Sequence, residues 1–531
     1  MSVIDWIVLC VTLLGVLCYG LYKGRGQKNL NTYFKSNNTL TWLIILLSIM
    51  GTQASAITFL SAPGQAYTDG MRFVQYYFGL PIAMVVLCFT LLPLYHKLRV
   101  YTAYEFLETR FDLRTRTLAS VLFLIQRSLS TGISIYAPSI ILSSLFGWNI
   151  YFTNLVMGGL LIVYTVSGGA KAVAYTQMQQ LFVVFVGMFL AAYMVVALLP
   201  KEIGFYDAIN VAGKMGKMNA IVTTFEPLQA DWWKDKYNIW SGIIGGFFLA
   251  FSYFGTDQSQ VGRYIVAKDL KESRISLLLN GLVKIPMQFG ILLVGVLVFV
   301  FYLNYNPPLV FNQALVDNTL ESKYGSQLQA QQKAFDSINI QKKALVNQLA
   351  GSIKVNNTQK SDSLSALLLA KNEAGSKLVK DAKSTIIKAD ALADTNDTNY
   401  IFLYFVIHNL PKGLVGLLIA VIFLSAWGSI AAALNALSSS TIIDLYKRSW
   451  VQNREELHYF KASRWITLFW GLFSIAVAMF ATHLGSLIEA VNILGSLFYG
   501  SILGIFVVAF YLKRVGGTAV FWATVVSEIL V

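Results

Sequence analysis

The sequence predicts an all-α polytopic membrane protein. Three observations carry that expectation. Apolar runs of about 20 residues recur along the chain, hydrophobic residues make up 56% of 531 while charged ones make up only 13%, and mean hydropathy is +0.59. Soluble domains carry roughly 25% charged residues, so a soluble enzyme, a secreted disulfide scaffold and a disordered chain are excluded. The net charge of +14 would point to nucleic acid in a soluble chain. Here the basic residues are spread among loops, so the expected partner is the lipid bilayer and no nucleic acid. Cys10, Cys18 and Cys88 sit in apolar runs and read as small core residues.

Hydropathy places spans near residues 3–21, 40–60, 73–95, 118–145, 151–167, 177–199, 239–256, 276–303, 412–440, 463–482 and 486–512. A further span opens near 518 and reaches Val531 after about 14 residues, too few to cross at 1.5 Å per residue, and reads as the start of a truncated helix. Lys and Arg cluster after the first, third, seventh and ninth spans: Lys23 to Lys35, Lys97 to Arg116, Arg263 to Arg274, and Lys447 to Arg464. The short loops at 146–151 and 482–486 carry none. The positive-inside rule then puts the amino terminus outside, in what is expected to be a bacterial inner membrane.

Residues 312–400 break the composition. They are rich in Lys, Asp, Gln, Ser and Ala and read as two polar helices around a turn at Gly351–Asp362. A solvated helical hairpin outside the membrane is the plain account, and a docking element for a periplasmic or outer-membrane partner is the sharper one.

Two spans are interrupted. The second contains Gly51-Thr52-Gln53-Ala54-Ser55-Ala56 and the seventh closes with Gly255-Thr256-Asp257-Gln258. Each opens a block of five spans, and broken helices at corresponding positions of two inverted halves point to a midplane site in a secondary transporter. Unwound backbone offers carbonyls to a bare cation; small residues can also serve only close packing. In the ninth span Ser425 and Ser429 lie four apart on one face and supply hard oxygen ligands. Arg127 lies about nine residues, roughly 13 Å, into its span, and Lys284 is similarly deep. Facing an aqueous cavity, the two cations would favour an anionic solute. Asp257 and Glu489 read as interfacial.

Several long stretches resemble the sodium/solute symporter family: Ser55 to Gly64, Tyr104 to Phe111, Ser130 to Pro138, Gly168 to Val173, Gln258 to Tyr264 and Asp444 to Lys447. The resemblance looks closest to the branch with iodide, multivitamin and monocarboxylate symporters. It implies a LeuT-type core of five-plus-five inverted repeats behind a leading helix. The expected parts are 1–39 (leading helix and loop), 40–200 (first repeat), 201–238 (outer loop), 239–311 (core helices 6 and 7), 312–400 (hairpin), 401–515 (core helices 8 to 10) and 516–531.

By that resemblance the sodium site falls on Gly51, Ala54, Ser425, Gly428 and Ser429. Gly428 replaces a usual hydroxyl residue, and Gln177 replaces an aspartate that relatives with an additional ion site carry. One sodium ion per cycle is the implied cofactor. The implied solute pocket involves Ser55, Thr58, Gln75, Arg127, Tyr253, Lys284 and Asn492. The expected function is sodium-coupled symport of a small polar anion, such as a sugar acid or monocarboxylate, by alternating access. A transporter-like sensor, or a weakly coupled or proton-coupled carrier, is the rival. No nucleophile or ligand cluster stands at catalytic spacing, so no enzyme is expected.

Overall fold

Helices follow wherever apolar runs are long enough to hide their backbone from lipid. The structure is a computed structural model and describes residues 1–23, 40–98, 100–222, 237–391, 393, 395–481 and 486–531, the side chains of Leu21, Lys23 and residues 167–171 excepted. The basic clusters at 24–39 and Arg99, part of the outer loop, His483 and the loop at 482–485 lie outside the described residues.

Numbered as introduced, α1 spans Val3–Lys23, α2 Trp42–Gln53, α3 Ala56–Asp69 and α4 Leu80–Phe89. The single span expected over 73–95 is instead a 3-10 segment, Gly70–Tyr77, followed by helices that part at Thr90, the C-cap of α4. Next come α5 (Leu113–Phe146) and α6 (Ile150–Ala197). Within α6 the Tyr164 hydroxyl lies 2.6 Å from Thr176 Oγ1, twelve residues further on. A straight helix would separate those positions by about 18 Å, so the helix bends sharply between the apolar segment Ile150–Val166 and the candidate span Ala172–Ala197.

The second half follows with α7 (Gly246–Thr256), α8 (Gln258–Tyr264) and α9 (Leu270–Asn304). The polar insertion is a hairpin of α10 (Gly325–Lys354) and α11 (Thr358–Ala389). Asn356, with φ 51°, turns the chain between them, a conformation asparagine tolerates. The hairpin has its own small core around Leu328, Phe335, Ala382 and Ile386. Lys214 to Asp362 (2.5 Å) and Lys354 to Asp207 (3.4 Å) tie it to the short helix Phe205–Lys214 that follows α6.

Then α12 (Thr398–Asn409) packs on α3, a helix hydropathy did not reveal because it is only 12 residues long. The chain continues with α13 (Leu414–Ser440), α14 (Glu456–Phe480), α15 (Leu487–Tyr511) and α16 (Gly517–Leu530). The most buried of the candidate spans is the one formed by α13 and the helical segment that extends it to Trp450; α13 packs on α1, α5 and α6. Cys10 and Cys18 are exposed on α1, contrary to their reading as core residues, while Cys88 is buried.

Candidate functional site: two helix breaks around a central cavity

Between α2 and α3 the backbone leaves the helix at Ala54 (ψ 81°) and Ser55 (ψ 174°). In an unbroken helix the Gly51 carbonyl would accept from the Ser55 amide, and the Ala54 carbonyl from Thr58. The Ser55 amide instead donates to Gln53 O (3.1 Å) and the Thr58 amide to Ser55 O (2.9 Å). Gly51 and Ala54 therefore lose their helical donors at the same break.

The second break, between α7 and α8, is treated differently. Asp257 adopts extended backbone there. Tyr264 donates to Phe254 O (2.9 Å), Tyr95 to Gly255 O (2.8 Å) and Tyr104 to Thr256 O (2.8 Å). Tyrosine hydroxyls thus satisfy the carbonyls this break releases, while the first break offers its own. Ser425 and Ser429 share one face of α13, which packs on both α2 and α3. The Ser429 hydroxyl donates to Ser425 O (3.0 Å) and Ala426 O (3.2 Å).

Gly51 and Gly428 approach the same side chain. A Cβ on Gly51 would lie 3.1 Å from Gln177 Cβ, and one on Gly428 would lie 3.3 Å from Gln177 Cγ. The Gln177 amide nitrogen donates to Gly428 O (2.9 Å) and Thr52 Oγ1 (3.0 Å), and its oxygen accepts from Ser48 (2.6 Å). A neutral amide here ties α2 and α13 to α6.

Beside the first break lies a cavity of about 140 Å³. Ser55, Thr58, Arg127, Tyr253 and Asn492 line it. Gln75 does not. Its amide donates to Tyr237 O (2.9 Å) and accepts from the Val222 amide (3.1 Å), so it joins Val222 to Tyr237 and its placement in the pocket is corrected. Lys284 is also off the wall, behind Tyr77, with Nζ 5.7 Å from that ring's centre.

Asp257 overturns its interfacial reading: it is buried, and Arg127 Nη1 lies 3.7 Å from its Oδ2. The Tyr499 hydroxyl donates to the same oxygen (3.0 Å), and Gln260 donates to the Tyr253 hydroxyl (2.7 Å). Arg127 Nε makes no hydrogen bond and retains a donor. Tyr499, Gln126 and Tyr76 also line the cavity, and no sequence motif marked them. The one available signal was Asp257 within the glycine-rich break.

Two polar networks flank this centre. At one end Arg116 reaches Asp444 and Glu108, each at 2.7 Å, and Arg448 reaches Glu108 at 2.6 Å. At the other end, Tyr237 and Gln65 bond Glu489 at the start of α15.

The profile of the sodium:solute symporter family matches residues 33–322 and 378–527. The chain belongs to that family. Among relatives, the sodium/sialic acid symporter of Proteus mirabilis (strain HI4320) is 25% identical over 534 residues, 99% of this chain and 88% of its own. The human sodium/iodide cotransporter is 28% identical over 318 residues, 58% of this chain and 47% of its own. The human sodium-coupled monocarboxylate transporter 1 is 30% identical over 279 residues, 52% of this chain and 44% of its own. The matched stretch thus spans about half the length of these two human relatives. A solved structure of a Na+-coupled sialic acid symporter, substrate-bound and outward-open, superposes with TM-score 0.73 at 22% identity, covering 100% of this chain and 91% of that one. The chain therefore shares that fold and is an integral membrane protein.

Proposed function

We propose that this symporter couples sodium to the uptake of a small carboxylate-bearing solute. The observation that carries the reading is the pair of carbonyls, Gly51 and Ala54, deprived of helical donors beside the cavity that Arg127 lines. With Ser425 O and the Ser429 hydroxyl they form a hard-oxygen set suited to sodium. Gly428 contributes no side-chain ligand, so one sodium ion per cycle is the proposed stoichiometry.

Arg127 supplies the positive charge for the solute carboxylate, with Ser55, Thr58, Tyr253 and Asn492 lining the same cavity. Relatives named for sialic acid, monocarboxylate and iodide support an anion. Ion binding at the first break favours one orientation of the two repeats, 40–200 and 239–515 less the insertion, and solute binding then permits the exchange. The amino terminus outside, a bacterial inner membrane and a partner for the 312–400 hairpin complete the proposal.

Proteoliposome uptake of sialic acid, lactate and iodide under a sodium gradient tests it. Sodium-driven uptake of a carboxylate that Arg127→Gln lowers at least tenfold is the expected result. Uptake of a carboxylate that ignores the sodium gradient contradicts it and favours the second reading, a weakly coupled or proton-coupled carrier or a sensor, for which the neutral Gln177 and Gly428 speak.

A further inference from the structure

Along α9, Asn280, Lys284 and Gln288 are spaced four apart and share one face. All are buried, at 0%, 1% and 0% exposure. Both polar atoms of each amide, Asn280 and Gln288, lack a hydrogen-bond partner. Among the described residues Lys284 forms no ion pair, and its recorded neighbour is the Tyr77 ring, which lines the solute cavity. Close packing holds this stripe in place: Gly281 sits against Pro81 and Met84 of α4, and Gly295 against the Pro63 carbonyl of α3.

We propose that Lys284, flanked by the amides of Asn280 and Gln288, is a proton-binding site behind the wall of the solute cavity. An amide carries both a donor and an acceptor. Its oxygen can accept from an ammonium and its NH2 can donate to a neutral amine, so the pair can solvate either protonation state. An anion site would leave those amide oxygens without a role.

Among the described residues, the charged groups on the neighbouring elements are recorded with other partners. On the packed elements, α2 has no titratable residue, and Cys88 of α4 bonds Arg274 O. Toward the outer end, Asp69 bonds Gln65, Arg72 bonds Tyr237 O and Lys217 bonds Thr68 O. Tyr67 meets Phe299 edge to face, and Lys354 pairs with Asp207. Toward the inner end, His96 bonds Ser273, Tyr95 and Tyr264 bond α7 carbonyls, Arg263 contacts Ser259 O and Glu272 bonds the Trp42 amide. At the hairpin and α12, Lys343 faces Tyr305 and His408 faces Tyr404 O.

Proton and solute occupancy are then reciprocal: a protonated Lys284 behind Tyr77 favours an anion in the cavity, so solute affinity falls as pH rises. This clause rests on the cavity being the solute site; the proton site itself does not. The test is the thermal stability of purified full-length protein from pH 5.5 to 9.5 without solute, for wild type and Lys284→Met. A difference between the two curves that changes with pH is expected. A constant offset overturns the proposal. If Lys284→Met does not fold, Asn280→Leu and Gln288→Leu keep the lysine and should displace the inflection of the wild-type curve, and an unmoved inflection overturns it equally. Failure of carboxylates to bind would sink the solute reading alone, because the stability curves need no solute.

Discussion

Gln177 on α6 donates a 2.9 Å hydrogen bond to the carbonyl of Gly428 on α13, where a Cβ would stand 3.3 Å from Gln177 Cγ and 2.4 Å from the amide oxygen of Gln180. The Gln177 side chain also holds Ser48 and Thr52 of α2. Gln177→Leu fills a similar volume but leaves these buried groups unpaired, at roughly 1–3 kcal/mol for each one orphaned. The variant should unfold at markedly lower temperature and bind sodium more weakly, readable from its melting curve with and without salt.

The buried pair of Arg127 and Asp257 makes a second prediction. Removing one partner leaves the other charge buried and unpaired, at about 3–5 kcal/mol. Asp257→Asn and Arg127→Gln should each destabilise strongly, and the double variant should cost clearly less than their sum. Additive melting shifts would show that the two do not interact.

Gly64 and Gly295 meet neighbouring backbone. A Cβ on Gly64 would stand 1.9 Å from Thr398 O, and one on Gly295 would stand 2.0 Å from Pro63 O. Either Gly→Ala change forces α3 away from α12 or α9. A loss of about 1–3 kcal/mol, the usual scale of overpacking, is expected for each. Gly159→Ala, which meets open space, should be close to neutral in the same assay.

How far the sequence carried the reading depends on the scale of the signal. The break at Ala54-Ser55 was legible because a run of small and polar residues inside an apolar span has few other uses. Asp257 was misread because hydropathy ends the span there, whereas the chain turns into α8 and stays buried. Gln75 was misassigned because a polar residue near an expected pocket says nothing about direction; its partner Tyr237 lies 162 residues away. The tyrosines that satisfy the second break come from three separate segments, so no local pattern reveals them.

The hairpin offers a test of pH dependence. Burial pushes the Lys342 amine down to about 8, against roughly 10.4 in an unfolded chain. Between those values the unfolded state binds more protons, so hairpin stability rises with pH across that window, and below about 8 the full penalty is present. Lys342→Met should stabilise the hairpin at neutral pH and abolish that rise. Hydrogen exchange of α10 and α11 in the full-length protein, at pH 7 and pH 9.5, reads both effects.

The central claim is that sodium binds at the first helix break. Melting temperature of the purified protein against sodium, lithium and potassium, for wild type and Ser429→Ala, tests it most directly. A ligand that prefers the folded state stabilises it by about 2.7 kcal/mol at a hundredfold excess over Kd. Stabilisation specific to sodium in the wild type, and absent in Ser429→Ala, is the predicted result. A wild-type protein that melts at one temperature in all three salts would contradict the site.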